Sequence, residues 1–257
     1  MGILNVTPDS FHSDSRMLDS KSLLQLAEKM LLDGATLLDI GGYSSRPNAD
    51  EVSESEEINR VIPSIELLNM EFPQAMISID TFRSKVAQKA MEAGACIIND
   101  ISGGSLDEQM FETVAKSKAV YIMTHMRGTP QTMSGLTDYD DLLMEMMDFY
   151  VDGVEKLSSL QVADIIIDPG FGFAKTINQN YEILKNLQYF QQLNLPLLAG
   201  ISRKSMIYKA LDIGSADALN GTTALHMIAL MNGASILRAH DVKEATETIK
   251  LYSATYE

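Results

Sequence analysis

The sequence predicts a (β/α)8 barrel, an α/β fold whose ligand site lies at the C-terminal ends of the strands. Three observations carry that expectation. Short apolar runs alternate with stretches of helical spacing in eight strand-then-helix units, the order that builds a parallel sheet buried on both faces. Gly-Ala stands at a helix-to-strand turn three times, at Gly34-Ala35, Gly94-Ala95 and Gly233-Ala234. Glycine there can take the left-handed end of a helix, and the next apolar run begins at once. Finally, 257 residues with no break in composition are the usual size of one barrel, so a single domain over 1–257 is expected.

The units follow in order. Met1 to Val6 is the first strand, closed by Thr7-Pro8-Asp9-Ser10, and Leu23, Leu24, Ala27, Met30 and Leu31 recur at helical spacing before Gly34. Thr36 to Ile40 is the second strand, followed by Gly41-Gly42-Tyr43-Ser44-Ser45-Arg46-Pro47. Ser53 with Glu56 reads as a capping box for a helix reaching about Met70, with Pro63 expected to kink or break it. Strand three, Ala75 to Ile79, ends in Asp80, and a helix runs to Glu92. Strand four, Cys96 to Ile98, ends in Asn99-Asp100, after which Ser105 and Glu108 can cap a short helix.

Ala119 to Met123 is strand five, ending in Thr124-His125, and a long helical stretch spans Tyr139 to Leu160. Ile165-Ile166-Ile167 is strand six, stopped by Pro169, which has no N–H for a ladder. Helical spacing resumes from about Gln179 to Leu193. Pro196 to Gly200 is strand seven, with helical segments near Ser205–Leu211 and Ala216–Met231. Ser235 to Leu237 is strand eight, and Asp241 with Glu244 reads as the cap of the last helix.

A net charge of −15 argues against nucleic acid and anionic membranes as partners. Any anionic ligand must therefore be held by a local basic cluster or by backbone N–H groups. The single cysteine, Cys96, excludes an internal disulfide framework and suits a reducing cytoplasm, the expected location. No apolar run approaches the ~20 residues that span a bilayer. Cys96 and the methionines read as packing residues, and His226, in mid-helix, as structural or solvent-facing.

In such barrels function sits on the loops after the strands. The strand ends here offer Asn5, Asp39 with Ser45 and Arg46, Asp80, Asn99, His125, Asp168, Lys204, and Arg238 with His240. Asp80, Asn99 and Asp168 suit the donor–acceptor edge of a planar heterocycle, because a carboxylate accepts paired N–H bonds from an amino-substituted ring. Asn5, Arg238 and His240 suit an anion, and Asn5 could add an oxygen ligand to Mg2+ bridging it. Lys204 lies between the two groups. The stretch Asp168-Pro169-Gly170-Phe171-Gly172-Phe173-Ala174-Lys175 places a glycine-rich aromatic loop over one of the acids.

These residues fall into motifs that resemble the dihydropteroate synthases, a family of pterin-binding enzymes. The motifs are Asn5 to Phe11, Ser45-Arg46-Pro47, Asp80, Ile98-Asn99-Asp100, Asp168 to Phe173, Ser202 to Ser205 and Arg238-Ala239-His240. They cover essentially the whole chain in order. The resemblance implies condensation of 6-hydroxymethyl-7,8-dihydropterin diphosphate with p-aminobenzoate, giving 7,8-dihydropteroate and diphosphate with Mg2+ in folate biosynthesis. It implies that Asp80, Asn99, Asp168 and Lys204 hold the pterin. Asn5, Arg238 and His240 would hold diphosphate, with Asn5 touching the metal. Ser45, Arg46, Pro47, Phe173, Ser202 and Lys204 would shape the p-aminobenzoate site, the target of sulfonamides. A dissociative reaction is implied, with Asp80, Asp168, Lys204 and Arg238 carrying the chemistry. Tyr43, Ser45 and Asn48 depart from the family's usual residues. An alternative within enzymes is a pterin-binding methyltransferase using methyltetrahydrofolate, and outside them a catalytically silent barrel kept for assembly. The helices near Ala216–Met231 and Glu244–Tyr252 are the expected faces of a homodimer.

Overall fold

The computed structural model describes residues 1–6, 16–43 and 52–256. Strands and helices alternate along it: β1 (Gly2–Asn5), α1 (Arg16–Leu32), β2 (Leu37–Gly41), α2 (Glu54–Glu71), β3 (Met76–Asp80), α3 (Ser84–Glu92), β4 (Ile97–Asp100) and α4 (Met110–Ser117). Then come β5 (Val120–Thr124), α5 (Leu142–Ser159), β6 (Ile165–Asp168), α6 (Ile177–Lys185), β7 (Leu198–Ala199), α7 (Ser205–Tyr208), α8 (Leu219–Met231), β8 (Ile236–Leu237) and α9 (Val242–Tyr256). Strands β1 to β6 form one parallel sheet in chain order, and β7 pairs with β8. Isolated parallel bridges join the two pieces, Ile167 to Leu197 and Gly2 to Ala239. The Ala239 amide donates to Met1 O at 2.9 Å, and the Met1 ammonium donates to Leu237 O at 2.9 Å. The ring therefore runs from β1 to β8 and back.

Side chains alternate across each strand, and the barrel uses both faces. Leu38, Ile40, Ile77, Ile79, Ile98 and Ile167 point to the helices and join the main core. Leu37, Ile97, Ile122, Ile166 and Leu198 form a second cluster inside the ring. Two residues further along the same faces stand Asp39, Asn99, Thr124, Asp168 and Gly200, so the interior turns polar one layer above its apolar plug. The same step from Ile236 leads to Arg238. The three glycines expected to end helices do so with φ of 101°, 110° and 95° at Gly34, Gly94 and Gly233.

Several local expectations are corrected. Helix α2 is unbroken across Pro63. Pro63 and Asn59, whose carbonyl loses its helical donor, both lie on the exposed face, while Val61, Ile65 and Leu68 anchor the helix to the core. The stretch expected as one helix to Leu193 stops at Lys185 and continues as a 3-10 turn over Leu187–Leu193. At the break the Asn186 amide is shared between Glu182 O and Ile183 O, both at 3.1 Å, the three-centre bond common where an α-helix passes into a 3-10 turn, and Asn186 Nδ2 adds a bond to Glu182 O at 2.8 Å. Asp107, not Ser105, stands at the start of α4, accepting from Gln109 N at 2.9 Å. Asp241 gives both oxygens to Arg203, at 2.7 and 2.9 Å, rather than capping α9.

Candidate active site

A hydrogen-bonded charge cluster occupies the upper interior of the barrel. Asp39 is wholly buried. Its Oδ2 accepts from Asn99 Nδ2 at 3.0 Å and from Arg238 Nε at 2.6 Å, while its Oδ1 has no partner among the described residues. Arg238 Nη2 donates to Asp80 Oδ2 at 2.6 Å. Sequence reading placed Arg238 with the anion-binding residues; the fold brings it among the acids, because it follows β8 on the inward face. One guanidinium thus answers two carboxylates and fixes their spacing. Burial works against its charge, but Asp39 and Asp80 more than offset this and hold it above the ordinary arginine range. Asp80 is pushed up to about 7 by desolvation, with Arg238 opposing and Asp39, Glu57 and Asp100 adding repulsion.

Asp168 ends β6 and is 7% exposed. Pro169 turns the chain away, and the Gly170 amide returns to donate to Asp168 Oδ1 at 2.8 Å. Burial raises the Asp168 pKa, opposed first by Lys204. Lys204, after β7, is brought down to about 8 by burial, with Asp168 holding it up. A side chain at Gly200 would meet Asp168 Oδ2 at 3.7 Å and Lys204 Nζ at 3.9 Å; glycine there keeps open the space that both groups face. Lys204 Nζ also donates to Phe171 O and sits 4.8 Å from the centre of the Phe173 ring.

Around this cluster, Ser202 Oγ lies 3.2 Å from His240 Nδ1 and accepts the His240 amide at 3.2 Å. Asn5 is exposed at the mouth. Its Oδ1 lies 3.6 Å from where a Gly41 side chain would begin, and Asp80 Oδ2 lies 3.7 Å from the same point. Ser45, Arg46 and Pro47 lie outside the described residues, as do the residues from Thr7 to Phe11. Tyr43 is described: its hydroxyl accepts from Gln131 Nε2 at 2.6 Å, and its ring meets Phe82 edge-on at 5.3 Å. Arg83 pairs with Glu57 at 2.5 Å and donates to Val52 O at 2.7 Å, while Arg60 donates to Gly42 O at 2.9 Å.

Two members escaped the sequence reading. Asp39 appeared there only as a strand end; its place two residues beyond Leu37 on the inward face was the available signal. Lys175 closes the glycine-rich stretch and gave no signal beyond its position. It is buried against His125, which burial and the Lys175 charge hold neutral. Among the described residues, no group of three or more His, Cys, Asp and Glu is placed to hold a metal ion.

The assembled site presents two acids, the half-buried Asp80 and the buried Asp168, an amide whose Nδ2 is already engaged, and two cations, Arg238 bonded to Asp80 and Lys204 beside Asp168. That set can orient a flat, polar heterocycle with several N–H donors and leave an anion near the cations. A model of the pterin-binding enzyme family matches residues 1–240. Dihydropteroate synthase of Escherichia coli strain K12 is 41% identical over 258 residues, covering 99% of this chain and 90% of its own length. The Yersinia pestis dihydropteroate synthase, solved with a sulfonamide drug complex, superposes with a TM-score of 0.92 at 41% identity, covering 99% of this chain and 92% of that one. The Clostridium difficile dihydropteroate synthase, solved in the presence of pteroic acid, gives a TM-score of 0.92 at 36% identity over 99% of this chain and 95% of that one.

Proposed function

The chain belongs to the pterin-binding enzymes and has the activity of a dihydropteroate synthase, and from that premise we propose how its residues carry out the reaction. The activity is condensation of 6-hydroxymethyl-7,8-dihydropterin diphosphate with p-aminobenzoate to 7,8-dihydropteroate and diphosphate. The whole of 1–257 is read as one catalytic domain in the cytoplasm. Among the described residues no helix is long and apolar enough to cross a membrane.

The observation that supports the proposed roles best is the pair of acids, half-buried Asp80 and buried Asp168, each matched with a cation, Arg238 for the first and Lys204 for the second. In this reading Asp168 accepts N–H bonds from the amino-substituted edge of the pterin. Asn99, with Nδ2 committed to Asp39, offers its Oδ1 as an acceptor. Lys204 donates to a ring oxygen. Arg238 has Nε and Nη2 committed to acids, and among the described residues its Nη1 has no hydrogen-bond partner, so Nη1 with His240 and Asn5 receives the diphosphate. The methylene C–O bond breaks and diphosphate leaves. The arylamine nitrogen then forms the C–N bond and releases a proton. Asp80 supplies negative charge near the developing cation, which preorganised groups stabilise without reorganising.

One neutral oxygen from Asn5 fits Mg2+ only when the leaving diphosphate supplies the other ligands, as is usual for that ion. Bound there, Mg2+ would draw charge from the leaving group. Pteroic acid joins a pterin to p-aminobenzoate, and its use with the Clostridium difficile enzyme supports placing both substrates in one mouth. Ser45, Arg46, Pro47, Phe173, Ser202 and Lys204 are assigned to the p-aminobenzoate and sulfonamide side. A homodimer is assigned to the α8–α9 face, where Ile228, Met231, Ile249 and Leu251 are exposed.

The test is turnover of the purified protein with both substrates and Mg2+, following dihydropteroate and diphosphate together. Equal amounts of the two products are expected, and no product would overturn the reading. Asp168→Asn keeps the shape and removes the charge. It should weaken pterin binding by about 1.5–3 kcal/mol, tenfold or more, on the scale of a charge-assisted hydrogen bond. Calorimetry giving wild-type affinity would remove Asp168 from the pterin site.

A further inference from the structure

Lys175 takes no part in the chemistry above, yet it is 8% exposed. Its Nζ turns back under the loop and lies 2.9 Å from Phe173 O, 3.0 Å from His125 Nδ1, and 3.2 Å from both Gly170 O and His125 O. None of these partners is a carboxylate. An ammonium withdrawn from water without a hydrogen-bonded counter-ion is costly, and burial brings this one down to about 7. A side chain that only filled this space would be better uncharged. The position uses the three donors.

Those donors gather carbonyls. Gly170, Gly172 and Ala174 have φ of 66°, 84° and 48°, so the backbone turns repeatedly within a few residues. Gly170 O and Phe173 O go to Lys175, whereas Phe171 O receives Lys204 and the Phe173 ring lies against the Lys204 ammonium. Ala174 holds a left-handed conformation that a residue with a Cβ adopts only at a cost, so the surroundings must impose it. The loop is also pressed onto the end of β5: a Cβ at Gly170 would fall 2.1 Å from His125 O.

We propose that Lys175 is a positioning residue for the arylamine, its buried ammonium drawing the Gly170, Phe173 and His125 carbonyls together so that Phe173 is held where p-aminobenzoate is received. This rests on the assignment of Phe173 to the p-aminobenzoate side. Without Lys175, Phe173 O and His125 O lose their hydrogen-bond donor, and the loop turns to expose them to water. Asp80 and Asn99 stand on other strand ends and keep their partners, and Asp168, which accepts the Gly170 amide at 2.8 Å, is the pterin residue nearest the change.

Lys175→Met keeps the length and volume and removes the donors. The KM for p-aminobenzoate should rise about tenfold, while pterin diphosphate affinity by calorimetry falls by a clearly smaller factor, since of the pterin residues only Asp168 shares a partner, Gly170, with Lys175. Lys175→Gln retains two N–H donors and should recover part of the loss, and it carries the test if the methionine variant does not fold. An unchanged KM in the methionine variant, or in the glutamine variant where the methionine one does not fold, would overturn the proposal. So would equal losses for both substrates, or a glutamine variant as poor as a soluble methionine one. A wild-type protein that makes no dihydropteroate would instead refute the functional reading, and the control assay shows which has failed.

Discussion

Asp80 joins the site's electrostatics to pH. Its pKa of about 7 in the fold, against 3.8 for a free aspartate, is set mainly by desolvation. The folded state therefore binds a proton that the unfolded chain has already lost, and linkage fixes the sign. The stability that this group contributes is complete below pH 4 and declines as pH rises toward 7. Asp80→Asn should flatten the stability curve across that window, measured by denaturant unfolding of the ligand-free protein. Ligand binding has the opposite preference, because an N–H donor or a developing cation wants the carboxylate ionised. Pterin diphosphate binding at pH 6.5 should release a proton, seen as a dependence of binding heat on buffer ionisation enthalpy. Heats independent of buffer would show that Asp80 keeps its protonation state. The strand-end acids were legible because each follows an apolar run. Which acid pairs with which base was not, since Arg238 meets Asp39 and Asp80 from 199 and 158 residues away. Only closure of the ring brings them together.

Helix α2 shows where periodicity and local chemistry disagree. The capping serine was readable, and Ser53 Oγ does accept from Glu56 N at 3.2 Å. The break at Pro63 was expected from the missing N–H, yet buried Val61, Ile65 and Leu68 carry the helix through. The cost remains: Asn59 O has no helical donor, and the ring crowds the preceding turn. Pro63→Ala should therefore stabilise the protein by about 1–3 kcal/mol, read as a higher denaturant midpoint at unchanged slope. A lower midpoint would mean that the proline's constraint on the unfolded chain outweighs the strain it causes. The 3-10 turn after α6 was hidden for a different reason. Apolar spacing continues through Leu187 and Phe190, both buried, so the pattern reads as helix while at Asn186 the amide already divides between the i−4 and i−3 carbonyls.

Eight strands were legible, but their lengths were not. Strands β7 and β8 are two residues each, and the sheet pairs them only with one another. The ring is completed by single bridges on either side, so the last quarter of the barrel has fewer ladder bonds than β1 to β6. Because that quarter also carries Lys204 and Arg238, the least-paired strands hold the cations of the site. Amide exchange should be faster at Leu198 and Leu237 than at Ile79 and Ile122 in the ligand-free protein, and substrate should slow it selectively. Uniform protection around the ring would contradict this. At longer range the molecule carries −15, and both substrates are anions. With the Debye length near 30 Å at 0.01 M salt, an approaching anion meets the whole negative field; at 0.15 M, with about 8 Å, it meets mainly the local cations of the mouth. The KM for p-aminobenzoate, at fixed Mg2+, should therefore fall as sodium chloride is raised through that range. A KM that rises with salt would show that Lys204 and Arg238 dominate the approach as well as the binding, and that the acidic exterior is too far from the mouth to matter.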